Sequence, residues 1–412
     1  MHRIKQGLLY SDYLLGAAII ICQLFGQSEL TSIFFVGILF ASAIIWIYTL
    51  TERITNLDVL AIFILITAFM SVTLNGMLSG FSPSFAYYKK YIMFCCTIIF
   101  FSAAAKIERK DKFALFLEYL YIGIGIFLMF MYITQNKKMH ILNGLYTNYL
   151  TFRFTNPNLT ALFLSCMIMF LITMFFDEKN KARKVVLLIA AIVEMVFLYQ
   201  TLSRNSLLAV AIFLCLSIIF AITKKQLRLK KWFLALSAVA PLIFVVVYMQ
   251  IINAQTLTKI FSFMIGEGKA LDSRFFIWGN AIDELMSSPI MGAYYQISNG
   301  TGMSQLHNTH IDILVSYGVL TFILVCIFLY KLMESVLSNN DCGMNTMMLI
   351  GFICVLFLGM GEAAVFSGGM GIYLFAGVFL IVKKPNLAIN ACNMQIGSDA
   401  DDSTFPNGMA DD

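Results

Sequence analysis

Reactive side chains are scarce here, and their placement among long apolar runs is the first clue to chemistry. The chain has 4 histidines. Two of them, His307 and His310, stand in "SQLHNTHIDILVSYG" at the head of an apolar run. Three residues apart, they are expected to share one helix face. An imidazole that titrates near neutrality suits general-base work. A capping or structural role, with Asn308 as helper, stays open. Zinc is disfavoured, because neither an outer-loop cysteine nor a third ligand accompanies the pair. Arg204 lies in "TLSRNSL", a short turn between two apolar runs, where a guanidinium either meets a phosphate or snorkels to the lipid surface. Arg274 follows Asp272, read as an N-cap. In the first turn of a helix it would join the unpaired N–H groups in an anion site, unless it pairs with Asp272 or a loop carboxylate. Arg153, in "TFRFTNPN", precedes another run. Asn156 and Pro157 in that stretch fit an N-cap and a first helical residue. Glu194 and Glu362 are the notable carboxylates, since an acid at membrane depth is a functional candidate. Glu362 is an alternative base to His307. Lys89 and Lys90, adjacent at a helix entry, are read as snorkelling.

The elements that must position these residues are membrane spans. Hydrophobic residues make up 60% of the 412 and charged residues only 12%, about half the charge of a soluble chain. Apolar runs of about twenty residues recur, each long enough to cross a bilayer, without the alternation of a barrel strand. The expected fold is an all-α polytopic integral membrane protein with about twelve transmembrane helices. The spans are 10–25, 33–50, 57–77, 91–105, 113–133, 157–176, 185–201, 206–223, 232–252, 307–330, 345–362 and 366–382. The fourth and the last are short enough to be re-entrant. The first lacks a small-residue cleavage site and reads as a retained helix.

Charge orients the bundle. The loops "KIERKDK", "DEKNKARK" and "KKQLRLKK" fall on one face, which the positive-inside rule makes cytoplasmic, together with both termini. The net charge of +5 is accounted for by this anchoring and does not imply nucleic acid. None of the 9 cysteines falls in an outer loop, so no disulfide framework is expected. Residues 1–384 form the membrane domain, with long outer loops at about 134–156 and 253–306. Residues 385–412 are an acidic polar tail, expected to be cytoplasmic and disordered. In the larger loop, Phe275, Trp278, Ile282 and Leu285 make one face of an amphipathic helix ended by Pro289 and Gly292. Leu257–Ile265 suggests a second short helix at the membrane interface.

Four segments together resemble the O-antigen polymerase and ligase superfamily of bacterial surface-polysaccharide assembly. They are "FRFTNPNLTALFL", "LSRNSLLAV", "DSRFFIWGNAIDELMSSPIMGAYY" and "LHNTHIDILVSYGVLTFIL", the last ending its motif at Gly318. The regular Arg-to-Gly spacing of some polymerases is missing: Leu285 stands eleven after Arg274, and Leu164 eleven after Arg153. The resemblance implies a glycan donor on a polyprenyl pyrophosphate, used at the outer face of the bacterial inner (plasma) membrane among its lipids. No cofactor, metal or nucleotide is implied. A chain-length regulator and a flippase are the partners it suggests. Arg204, Arg274 and His307 become the catalytic candidates, the arginines for pyrophosphate charge and His307 for the acceptor hydroxyl. Arg153, Asn156, Asn158, Asn308, His310 and Glu362 become substrate-binding candidates. Outer loops of modest size favour a polymerase over a ligase. The gathering of unusual residues on one face favours chemistry over a flippase.

Overall fold

The computed structural model describes residues 43–44, 46–47, 50–51, 54–78, 80, 85–106, 111–134, 157–223, 229–253, 269–294, 306–337, 343–361, 377 and 379–380. Ten helices of these residues carry the architecture: α1 Asn56–Leu78, α2 Phe85–Lys106, α3 Asp111–Thr134, α4 Pro157–Asp177, α5 Lys181–Gln200, α6 Arg204–Ile222, α7 Lys231–Asn253, α8 Lys269–Ser287, α9 Thr309–Leu337 and α10 Gly343–Leu358. No strand occurs among the described residues. Five of the helices hold stretches long and apolar enough to cross a membrane: Asn56–Leu78, Thr160–Asp177, Arg204–Ile222, Lys231–Gln250 and Thr309–Leu337. Shorter apolar stretches fill Lys90–Ala105, Ala114–Phe130 and Met344–Leu358. Nine of the expected spans thus coincide with observed helices. The span 10–25 lies outside the described residues, and 33–50 and 366–382 lie largely outside them.

Helix α4 is the hub. It packs against α3, α5, α6 and α10, and 83% of its apolar window is buried against 33% for α6 and α7. The difference places α4 in the middle and leaves one side of α6 and α7 to lipid. Pro157 opens α4, as its fixed φ favours. The second centre is α9, which packs on α1, α2, α7, α8 and α10. One continuous apolar core joins the two.

Polar side chains tie the helix ends. Asn180 caps α5 by accepting from Ala182 N and Arg183 N. Arg183 then bridges Glu118 of α3 (2.7 Å) and Glu178 (2.8 Å), which closes the α4–α5 hairpin at its basic end. The backbone N–H of Asn180 also bonds Glu178, and this bond heads the causes that hold its carboxyl below the usual range. At the N-terminus of α1, Asp58 accepts from Trp46 Nε1 (2.9 Å), Ser102 Oγ of α2 (2.9 Å) and Thr55. A buried carboxylate is stable only with such a set of donors.

Helix α9 is broken. Gly318 has φ 81° and ψ 173°, so Thr309–Tyr317 is a separate short helix above the break. Residues 288–294, which follow α8, lie in the break. Ala293 N donates to Val315 O (2.6 Å), and Val319 N donates to Pro289 O (3.0 Å). From α1, Ser71 Oγ and Asn75 Nδ2 donate to Met291 O, the latter at 3.1 Å. The break falls nine residues below the helix head, about 14 Å of rise. Non-helical backbone at that depth survives because protein satisfies its polar groups. A Cβ at Gly292 would come within 2.6 Å of Val315 O, and one at Gly318 would fall on Ile290 O. Two glycines facing each other let the two backbones touch.

Candidate functional site

Three chain segments meet around one turn, Leu358–Gly361, at the end of the bundle expected to face outward. From α6, Asn205 Nδ2 donates to Leu358 O (2.9 Å). From the head of α9, Thr309 N donates to Gly359 O (3.0 Å). Asn308 Nδ2 donates to Met360 O (3.0 Å). Gly359 has no side chain to prevent this, since a Cβ there would meet Thr309 Oγ1 at 2.9 Å. The neighbours of these anchoring residues are Arg204 and His307. The turn therefore brings the two candidates, about a hundred residues apart in sequence, to one place in the fold.

Arg204 is the first residue of α6 and is exposed, with no hydrogen bond or ion pair among the described residues. Leu202, at φ 54°, makes the tight turn that delivers it. Ser203 sits at the N-cap but makes no side-chain cap bond; its hydroxyl instead pairs with Ser206 Oγ at 3.3 Å. The N-terminus of α6 thus presents N–H groups without a side-chain cap beside a guanidinium that has no partner among the described residues. Both features attract an anion.

His307 does not share a helix face with His310, contrary to the expectation from spacing. It precedes α9 in a left-handed conformation, φ 48°, and is half-buried. Asn308 is the reason. Its Oδ1 accepts from His310 N (2.9 Å) and Ile311 N (3.0 Å), which caps α9 and forces the chain to turn just before it. Its Nδ2 also donates to Pro241 O (3.0 Å). Every side-chain polar atom of this buried amide is occupied.

His310 is buried, and its ring packs edge-on against Phe322. Nε2 lies 2.6 Å from Ala238 O, and a carbonyl only accepts, so Nε2 carries the proton. Nδ1 has no partner among the described residues. Pro241 lies inside α7, close to both acceptors in sequence. Its nitrogen cannot donate to the preceding turn, and two carbonyls of that region, Ala238 and Pro241, accept from His310 and Asn308.

The large-loop helix is present as α8 but begins at Lys269, three residues before the expected cap at Asp272. Arg274 is therefore in its second turn. The first-turn anion site does not form there, because the helix dipole is concentrated in the terminal turn. The expected apolar face is correct at Trp278 and Leu285, which are buried, with Ala281 completing it. Trp278 Nε1 donates to Leu306 O (2.6 Å), and its ring meets Tyr248 of α7 edge-on at 5.3 Å. Leu306 immediately precedes His307, so Trp278 fixes the backbone of α8 beside the histidine, with Arg274 one turn earlier along the helix.

Asn158 is half-buried in the first turn of α4. Arg153, Asn156 and Glu362 lie outside the described residues, as does Leu257–Ile265. Glu194 is buried apart from this cluster, against Gly125 of α3, where a Cβ would lie 3.3 Å from its Oε1. Neither of its carboxyl oxygens has a partner among the described residues. Within those residues, no group of three His, Cys, Asp or Glu side chains could hold a metal ion.

Asp312 and Ser316 escaped the sequence reading, and the role of Lys90 was misread. Lys90 of α2 does not snorkel: its Nζ meets Asp312 Oδ1 at 2.6 Å and Ser316 Oγ at 2.9 Å. Its side chain is 21% exposed and that of Asp312 only 5%. The available signal was Asp312 and Ser316, spaced i, i+4 on the helix that follows His307. A carboxylate inside an apolar helix points to a polar or charged partner on a neighbouring helix.

The chain matches no curated protein and no solved structure. Residues 185–326 match the family model described as O-antigen ligase. That stretch begins in α5 and ends in α9, so it holds Arg204, α8, His307 and the break at Gly318. The match over residues 185–326 supports the O-antigen polymerase and ligase superfamily.

Proposed function

We propose that this chain is a polysaccharide polymerase of the bacterial inner (plasma) membrane, with both termini cytoplasmic. It joins oligosaccharide repeat units carried on polyprenyl pyrophosphate at the outer face. A hydroxyl of one glycan attacks the anomeric carbon of another. The glycosidic C–O bond forms as the anomeric carbon–pyrophosphate bond breaks, and the leaving polyprenyl pyrophosphate keeps the electron pair. His307 receives the hydroxyl proton, or orients the hydroxyl for attack. Arg204, with the uncapped N-terminus of α6, meets the growing pyrophosphate charge, and Arg274 adds a second cation. Asn308 and His310 serve the site from behind by fixing the head of α9. Arg153, Asn156, Asn158 and Glu362 are proposed to contact the glycan or its lipid carrier. A flippase that supplies the donor and a regulator of chain length are the partners proposed.

The observation that carries this reading is the joining of the Arg204 turn and the His307 head by the single turn Leu358–Gly361. A ligase, which transfers finished polymer to a lipid or protein acceptor, would use the same donor chemistry. It is the second reading, because the matched family model is described as O-antigen ligase. A gel of surface polysaccharide from cells lacking the gene tests the choice. Acceptors that keep a single repeat unit but lose polymer support the polymerase. Bare acceptors with accumulated lipid-linked polymer support the ligase.

A further inference from the structure

The short helix Thr309–Tyr317 is held on every side. At its head Asn308 supplies the cap. His310 reaches Ala238 O of α7, and Val315 O accepts from Ala293 N of the segment in the break. On the remaining side stand Lys90, bonded to Asp312 and Ser316, and Phe94 of the same helix α2, stacked on Tyr317 at 4.5 Å. Nine residues are too few for a stable isolated helix, and the break at Gly318 removes the support of the lower half of α9. The position of the helix is therefore set by these lateral contacts. Burying an ion pair is a costly route to stability, since well-packed apolar residues do as well or better. A charged anchor is specific in register, however: Lys90 can satisfy Asp312 and Ser316 together only when this helix sits at one height and rotation against α2.

We propose that Lys90 is a positioning residue, whose bridge to Asp312 and Ser316 fixes the half-helix that carries His307 at its head. This rests on the reading that His307 works at the acceptor hydroxyl. Lys90 itself touches neither glycan nor pyrophosphate. It acts through Asp312, one turn below Asn308, by preventing the half-helix from sliding or rotating at the break.

The test uses the full-length protein in nanodiscs and two independent readouts. One is backbone amide exchange over 309–317 compared with 319–337. The other is the turnover of a polyprenyl-pyrophosphate-linked oligosaccharide, resolved into kcat and KM. In Lys90→Met, exchange over 309–317 is expected to rise about tenfold or more, while 319–337 stays as in the wild type. The kcat is expected to fall about tenfold or more, with KM within about twofold. Lys90→Arg should restore most of the protection and most of the kcat. Should Lys90→Met not fold because Asp312 is left unpaired, Lys90→Met with Asp312→Asn removes both charges and should show the same two changes. Unchanged exchange over 309–317 in a folded variant overturns the proposal whatever the turnover. A raised KM at unchanged kcat also overturns it, because Lys90 would then bind substrate directly. If exchange rises as expected while His307→Ala retains full turnover, the positioning stands and the role given to His307 fails.

Discussion

Asn308 shows how a residue can be recognised in sequence while its work stays hidden. Its suitability as a cap is local and legible, but its bonds to Pro241 O and Met360 O span 67 and 52 residues. No spacing rule reports them. The same holds for His310, whose partner Ala238 O lies 72 residues away on another helix. Asn308→Ala should therefore cost on the order of 3 kcal/mol, a cap bond of about 1 kcal/mol plus orphaned carbonyls at about 1 kcal/mol each. Thermal unfolding in detergent measures it. Arg204 predicts the opposite pattern. It is exposed and has no partner among the described residues, so Arg204→Ala should change stability by less than about 0.5 kcal/mol. Its transfer rate should fall by about 10²-fold or more, as when a preorganised charge-stabilising donor is removed. Arg204→Lys should recover part of the rate, since a point charge replaces a fork. Parallel melting curves and single-turnover rates check both halves.

At the scale of elements, the helices were readable from apolar runs, and most observed ends fall within a few residues of the expected ones. The longest run was misread. Glycine within an apolar helix is ordinarily tolerated, and nothing near Gly318 marks it as a break. The evidence lies in "SSPIMG", whose turn residues were read only as the end of α8. They make sense as a wedge once placed against Val315 and Gly318. The start of α8 was also misjudged, because Asp272 satisfies the cap rule yet the chain is already helical from Lys269. Gly318→Ala should destabilise the protein by about 3 kcal/mol, combining a strained positive φ with overlap against Ile290 O. Gly279→Ala, in α8 with open space around its Cα, should be neutral or stabilising by about 1 kcal/mol. A pair of unfolding curves separates a backbone lock from a general sensitivity to side chains at glycine.

For the whole molecule, composition was sufficient to predict a bundle of apolar helices, and loop charge predicts its orientation. They could not assemble the site. The residues around Leu358–Gly361 come from three separate helix ends, and the Lys90–Asp312 pair joins positions 222 apart. Periodicity within one run carries no information about such meetings. Orientation can be tested by single cysteines in a chain whose native cysteines are replaced. Leu202→Cys, in the exposed turn before Arg204, should react with a membrane-impermeant maleimide added to intact spheroplasts. Lys179→Cys, exposed in the α4–α5 hairpin, should react only after lysis. The reverse pattern would put the Arg204 turn in the cytoplasm and end the outer-face reading.

The central claim is glycan transfer from a lipid pyrophosphate at a site built from Arg204 and His307. Its most direct test is the purified protein in liposomes, given a polyprenyl-pyrophosphate-linked repeat unit and followed for glycosidic products and released polyprenyl pyrophosphate. The expected result is a ladder of joined repeats, with one pyrophosphate lipid released per linkage and both products lost in His307→Ala. Movement of intact lipid-linked units across the bilayer, with no new glycosidic bond, would contradict the claim.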